Sequence, residues 1–187
     1  NSNDLTKKKI YSINNRKIFF YQINNNGIIA LSRNYGISKS TGKYLCFLDS
    51  DDWWTPNKLE ITKEYIDKGY KFLYHDMYLS KNNNFIKLKT KYCRSLNRPI
   101  YNDLIDNGPA FPTSSVTVEK KIFNSIKNFN ELSDLIAWED YDAWIRYSNA
   151  NEDFVKLPKT LGYIKIDDEN LLDSDRSIKN IFSFKSK

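Results

Sequence analysis

The stretch from Asn25 to Glu60, NNGIIALSRNYGISKSTGKYLCFLDSDDWWTPNKLE, changes character three times, and those changes decide the fold. Gly27 opens a helical segment that runs to about Ser40, where Thr41 and Gly42 end it. Lys43 to Leu48 is then a nearly continuous apolar run, the pattern of a central strand covered on both faces. It stops abruptly at Asp49. Pro56 sits where a helix takes its first turn, with Leu59, Tyr65 and Ile66 expected on one buried side and Gly69 as the terminator. Strand, acidic loop and helix in succession predict an α/β architecture, a mostly parallel sheet flanked by helices, rather than a bundle or a sandwich.

Outward from this stretch, Lys17–Ile23 (KIFFYQI) reads as a buried strand and Tyr70–Tyr74 as another. Met77–Leu79 and Phe85–Leu88 flank Lys81-Asn82-Asn83-Asn84 as a hairpin would. Further on, a short helix is expected over Tyr101–Asp106, a strand over Ser114–Val118, and a helix over Ala137–Ala150 with Asp140, Trp144 and Tyr147 on one face. Phe154–Leu157 and Leu161–Ile166 are the last strand candidates, and Ile178–Phe184 has the pattern of a docking helix. No repeat or linker divides the chain, so one domain over 1–172 and a polar tail over 173–187 are expected.

At 187 residues, 40% of them hydrophobic, the chain is long enough for a substantial single core. No apolar run approaches the roughly 20 residues that cross a bilayer. Cys46, inside the apolar run, reads as a small buried thiol, and with Cys93 it allows one bridge at most, which suits a reducing, cytoplasmic setting. The net charge of +6 is local. Between Asp76 and Asp103 there is no acid, and Lys81, Lys87, Lys89, Lys91, Arg94 and Arg98 carry the whole excess. With Phe85 and Tyr92 interleaved, this 81–98 segment suits the phosphates of a lipid, a nucleotide or a nucleic acid, and a solvated loop is the plainer reading.

The leading chemical signal is Asp49-Ser50-Asp51-Asp52 at the strand end. Three acids there repel one another, and a divalent cation with hard oxygen ligands, Mg²⁺ or Mn²⁺, is one compensation; a capped, solvated turn is the other. Ligands of open α/β sheets bind beyond the carboxyl ends of the strands, so the location also suits a site.

The same stretch resembles the core signature of the family 2 inverting glycosyltransferases with the GT-A fold. Gly27, Arg33, Asn34, Gly36, Gly42, Asp49, Asp51, Asp52, Trp54 and Pro56 stand where that signature has them, with Ser32 in place of its usual Ala. Downstream, Ser114-Ser115-Val116 and Phe129-Asn130-Glu131 resemble the family's acceptor-side strand and Phe-Asp-Glu turn, and Trp138-Glu139-Asp140-Tyr141-Asp142-Ala143-Trp144 its Glu-Asp motif. The resemblance implies transfer of a sugar from a nucleoside-diphosphate donor to a hydroxyl of a glycan or lipid-linked acceptor. By it, Asp140 with Glu139 supplies the base; Arg33, Asn34, Gly27 and Asp49 face the donor; Asp51, Asp49 and Asp52 hold the metal; and Trp54, Ser114, Ser115 and Trp138 lie toward the acceptor. Glu139 and Asp140 also fall at a helix start, where the dipole favours ionised carboxylates. Asp142 is spaced to pair with Arg146 at i,i+4.

Two departures stand out. The family's His near the last strand is absent from Tyr163-Ile164-Lys165-Ile166-Asp167, and the sole histidine, His75, follows the Tyr70–Tyr74 strand. The resemblance also places the family's first strand and base-reading acid ahead of Asn1, so an uncovered edge beside Leu45 and Phe47, and an enzyme incomplete without that part, are expected. Two other readings compete. A haloacid-dehalogenase-like phosphohydrolase also ends an apolar strand in Asp-x-Asp, but expects Gly-Thr where this chain has Asp52-Trp53. A non-catalytic module would use the 81–98 segment on anions or nucleic acid, although no specific nucleic-acid motif is present; as part of a transferase, the same segment is expected to touch the inner membrane face peripherally.

Overall fold

The computed structural model describes residues 4–81, 84–91, 93–151 and 153–166. Helix α1 (Asp4–Ser12) leads through an irregular segment to α2 (Ile29–Lys39), β1 (Tyr44–Cys46), β2 (Trp53–Trp54) and α3 (Lys58–Asp67). The hairpin β3 (Phe72–Lys81) and β4 (Asn84–Lys91) follows, then α4 (Ile100–Asn107), a 3-10 turn (Thr113–Ser115), β5 (Thr117–Glu119), α5 (Lys120–Ser125), α6 (Glu139–Ala150) and β6 (Phe154–Ile166). The tail over 173–187, with its expected helix at Ile178–Phe184, lies outside the described residues.

The sheet is mixed, in the order β1-β5-β3-β6-β2 with β4 beside β3. Among the described pairings only β3 with β6 is parallel, so the expected predominance of parallel neighbours does not hold. The cause is β5, which pairs antiparallel with both β1 and β3. β1 and β3 therefore run the same way, with β5 between them.

Alternation along β3 divides the core. Phe72 and Tyr74 enter the larger cluster with Ala30 and Ile37 of α2, Leu104 of α4, Phe123 of α5 and Trp144 and Tyr147 of α6. Leu73 turns to the opposite face, where it meets Leu157, Leu161 and the α3 residues Ile61, Tyr65 and Ile66. Leu59 is exposed, and the wholly buried positions of α3 are Lys58 and Thr62 instead. Lys58 is accommodated by its stem packing and by its ammonium, 4.0 Å from the centroid of the Trp54 ring and 3.1 Å from Thr117 Oγ1.

Three further expectations change. Lys17–Ile23 forms no strand: Ile18, Phe19 and Tyr21 are exposed, and the segment is held by ring contacts of Phe20 with Tyr11 and of Tyr21 with Tyr35. Strand-like composition does not replace a hydrogen-bonded neighbour. Ser114–Val118 begins as a 3-10 turn because Ser115 bonds back to Pro112 O through both its N–H and its hydroxyl, which delays β5 to Thr117. The last two strand candidates are one strand, since the register passes from His75 opposite Leu157 to Asp76 opposite Thr160 and so bypasses Pro158, which has no N–H to give.

β1 has one ladder partner among the described residues and lies at the sheet edge. Leu45 is buried and Phe47 packs on Phe123 and Phe129, so their side chains are covered. Cys46 faces the other way and is exposed, against the expectation of a buried thiol; Cys93 is buried, and both are free thiols.

Candidate active site

The acidic loop leaves β1 at the sheet edge, and the register of β5 decides what meets it. Cys46 lies opposite Thr117, so three residues further along Asp49 comes opposite Ser114. The bond is there: Asp49 N–H donates to Ser114 Oγ at 3.0 Å. The Ser114 carbonyl accepts from Trp54 Nε1 at 2.8 Å, which fixes the far side of the loop. Lys165 N–H, near the end of β6, donates to Asp52 Oδ1 at 3.3 Å. Burial pushes the Asp52 carboxyl up to about 6, the charges of Asp51 and Asp49 add to this, and the bonds from Ser114 and Lys165 oppose it.

The second half of the site is the start of α6. Trp138 is the residue before its first turn, and Glu139, Asp140 and Asp142 fill that turn. Ala137, just ahead, has φ +66°, a conformation that turns the chain sharply into the helix and that non-glycine residues seldom adopt. Glu139 is buried, and burial followed by the charge of Asp140 raises its carboxyl above the ordinary range. Asp140 Oδ2 accepts from Thr113 Oγ1 at 2.6 Å and its Oδ1 from Tyr141 N–H at 2.7 Å. Asp142 pairs with Arg146 as the spacing predicts, at 2.7 Å.

Arg33 joins the halves. From α2 its guanidinium donates to Asp49 Oδ1 at 2.8 Å and to Glu139 Oε1 at 2.5 Å, and it lies 5.4 Å from the centroid of the Phe129 ring. Burial opposes its charge, but Asp49, with Asp140 and Glu139, more than compensates, so the group is held above its ordinary value. Asn34, next to it, points elsewhere: it bonds Phe129 O, Phe129 N–H and Glu131 Oε1, and so ties α2 to the 129–131 turn. Gly27 has φ +80°, a turn geometry that accounts for glycine there. Trp54 is held by its hydrogen bond to Ser114 O and by the Lys58 ammonium over its ring, and Ser115 by its hydrogen bond to Pro112 O. His75 is buried in the sheet, with burial pushing its ring down to about 4.

The family profile described as glycosyl transferase family 2 matches residues 1–126. The chain belongs to that family. An "uncharacterized glycosyltransferase" of Rickettsia bellii is 30% identical over 142 residues, 73% of this chain and 19% of that protein. One of Haemophilus influenzae is 30% identical over 82% of this chain and 64% of its own length. The amylovoran biosynthesis glycosyltransferase AmsB of Erwinia amylovora is 27% identical over 70% and 44%. This chain thus spans about a fifth of the Rickettsia protein and less than two thirds of the other two. In fold it matches S. aureus TarS 1-349 with TM-score 0.62 at 17% identity, over 88% of this chain and 49% of that one. The same TarS fragment in complex with UDP-GlcNAc matches with TM-score 0.62 over 89% and 48%. Family and fold agree with the resemblance read from Asn25–Glu60.

Proposed function

We propose that this chain carries the donor and base machinery of an inverting glycosyltransferase, which moves a sugar from a nucleoside-diphosphate donor to a hydroxyl of a glycan or lipid-linked acceptor. The observation that carries the reading is the Arg33 bridge: one guanidinium holds the Asp-x-Asp loop and the first turn of α6 together, so that donor-side and base-side acids share one site. In the reaction the acceptor oxygen attacks the anomeric carbon and the bond from that carbon to the diphosphate oxygen breaks. The nucleoside diphosphate leaves with the electron pair, and Asp140 takes the acceptor proton. A single displacement inverts the anomeric centre. The TarS complexes with UDP and UDP-GlcNAc support a uridine-type donor.

A hard divalent cation fits the loop. Its donors are carboxylate oxygens, and their mutual repulsion, which helps to raise Asp52, is what a cation relieves. Among the described residues no group of three ligating side chains converges to hold an ion unaided. Asp51 with Asp49 or Asp52 would hold Mg²⁺ or Mn²⁺ there. When bound it would offset charge on the leaving group. As for the membrane, none of the described helices is long and apolar enough to cross one. Arg94 is committed to Asp103 and to Gly108 O, which takes it out of a peripheral contact through 81–98, and the lysine side chains of that segment lie outside the described residues.

Calorimetry with UDP-GlcNAc and Mn²⁺, alongside a turnover assay, tests the assignment. Asp51→Asn is expected to weaken metal-dependent donor binding. Asp140→Asn is expected to leave that binding in place while turnover falls by roughly 10²- to 10⁴-fold. Full turnover in a folded Asp140→Asn variant overturns the base assignment, and unchanged affinity in Asp51→Asn removes that residue from the donor site.

A further inference from the structure

The turn Thr113–Ser115 is buried almost completely, with exposures of 2%, 0% and 1%, yet each of its side chains is a hydroxyl. Buried hydroxyls need partners, and here the partners belong to the two halves of the site. Ser114 Oγ accepts the Asp49 N–H, and Ser114 O the Trp54 indole, so the turn is fastened to the acidic loop. Ser115 Oγ donates to Pro112 O and closes the turn on itself. Thr113 Oγ1 is left pointing across to α6, where it donates to Asp140 Oδ2 at 2.6 Å.

From this arrangement we infer that Thr113 is a positioning residue: its hydroxyl sets the orientation of the Asp140 carboxylate against the Asp49 loop, a role that rests on Asp140 being the base. Three features of the geometry serve it. The β-branched side chain has a restricted χ1, and the turn that carries it is braced at Ser114 and Ser115, so the hydroxyl is held in place. Asp140 Oδ1 is already tied to Tyr141 N–H, and with Oδ2 tied as well the carboxylate has one orientation. Each carboxylate oxygen keeps a second lone pair, so a proton from an acceptor hydroxyl still has somewhere to go.

The test uses the full-length protein with Thr113→Val, which keeps the shape and removes the donor, and Thr113→Ser, which restores it. Two readouts are taken: kcat and KM for turnover of UDP-GlcNAc, and the ¹³C NMR chemical shift of the Asp140 side-chain carboxyl at one fixed pH, assigned with Asp140→Asn. For Thr113→Val we expect kcat to fall by roughly 10- to 100-fold, the range that a hydrogen bond to a charged group converts to, with KM within about twofold. The ¹³C shift of the Asp140 carboxyl should change as its hydrogen bond is lost, and Thr113→Ser should recover most of each change. An unchanged carboxyl shift in a folded Thr113→Val variant overturns the inference whether or not the preparation turns over. A changed carboxyl shift with unchanged kcat also overturns it, by showing a bond without a role. If instead Asp140→Asn keeps full turnover, the base assignment fails on its own evidence.

Discussion

Replacing Arg33 by methionine removes one guanidinium and strands two carboxylates, and the two losses differ in size. The Asp49 side chain is 41% exposed, so its pair with Arg33 contributes at most about 1 kcal/mol after solvent screening. Glu139 has a side chain only 5% exposed, and its Oε2 has no hydrogen-bond partner among the described residues, so losing Arg33 leaves a buried charge with little to hold it. Breaking such a pair costs about 3–5 kcal/mol. The contact with the Phe129 ring adds about 0.5–1 kcal/mol, part of which a methionine stem replaces. Glu139 can limit the damage by binding a proton, because burial already raises its carboxyl. The expected loss at pH 7 is therefore about 3–5 kcal/mol, and it shrinks as the pH falls and Glu139 is neutralised. Against a usual total of about 5–15 kcal/mol, the variant stays folded at 25 °C with a much lower urea midpoint. Glu139→Gln in the Arg33→Met background should recover most of the loss, since the amide leaves no buried charge. A loss below about 1 kcal/mol, or a double variant that is simply the sum of the singles, refutes the bridge as the joint between the two halves.

Two other perturbations read the sheet beneath the site. His75 is neutral when folded, with burial, and Lys58 nearby, pushing its ring down from 6.5 to about 4. The unfolded chain takes up that proton near 6.5, so the contribution is full above that pH and is lost as pH falls toward 4, by up to about 3 kcal/mol; His75→Gln should flatten that part of a Tm-against-pH curve, and an identical curve removes His75 as its cause. At Gly162 a Cβ would stand 2.6 Å from Met77 Sδ and 2.8 Å from Trp53 O. The sulfur can swing aside but the β2 carbonyl cannot, so Gly162→Ala is expected to cost about 1–3 kcal/mol in urea unfolding, and wild-type stability would refute that close approach.

The parts of the molecule that the residues announce are those whose reasons are local. The Gly27 turn, the helices over Ile29–Lys39 and Glu139–Ala150, the β3–β4 hairpin and the Asp142–Arg146 pair each depend on neighbours a few positions away. Lys17–Ile23 has the composition of a strand and no ladder partner among the described residues, and composition cannot report a missing partner. The place of β5 is likewise silent, because nothing in Thr117–Glu119 says which two strands it will separate. Yet that placement makes the site. An antiparallel strand beside β1 must bring the turn before it to the loop after β1, and the register that sets Cys46 opposite Thr117 sets Asp49 opposite Ser114. Thr113, the next residue back, then falls within reach of α6, whose first turn Arg33 holds to the same loop. The acids were legible as motifs 90 residues apart in the chain, Asp49 and Glu139. Of the groups that unite them, Arg33 belongs to the 25–60 signature and Thr113 to no motif, and neither announces its role as a joint, because their partners Glu139 and Asp140 lie 106 and 27 residues away.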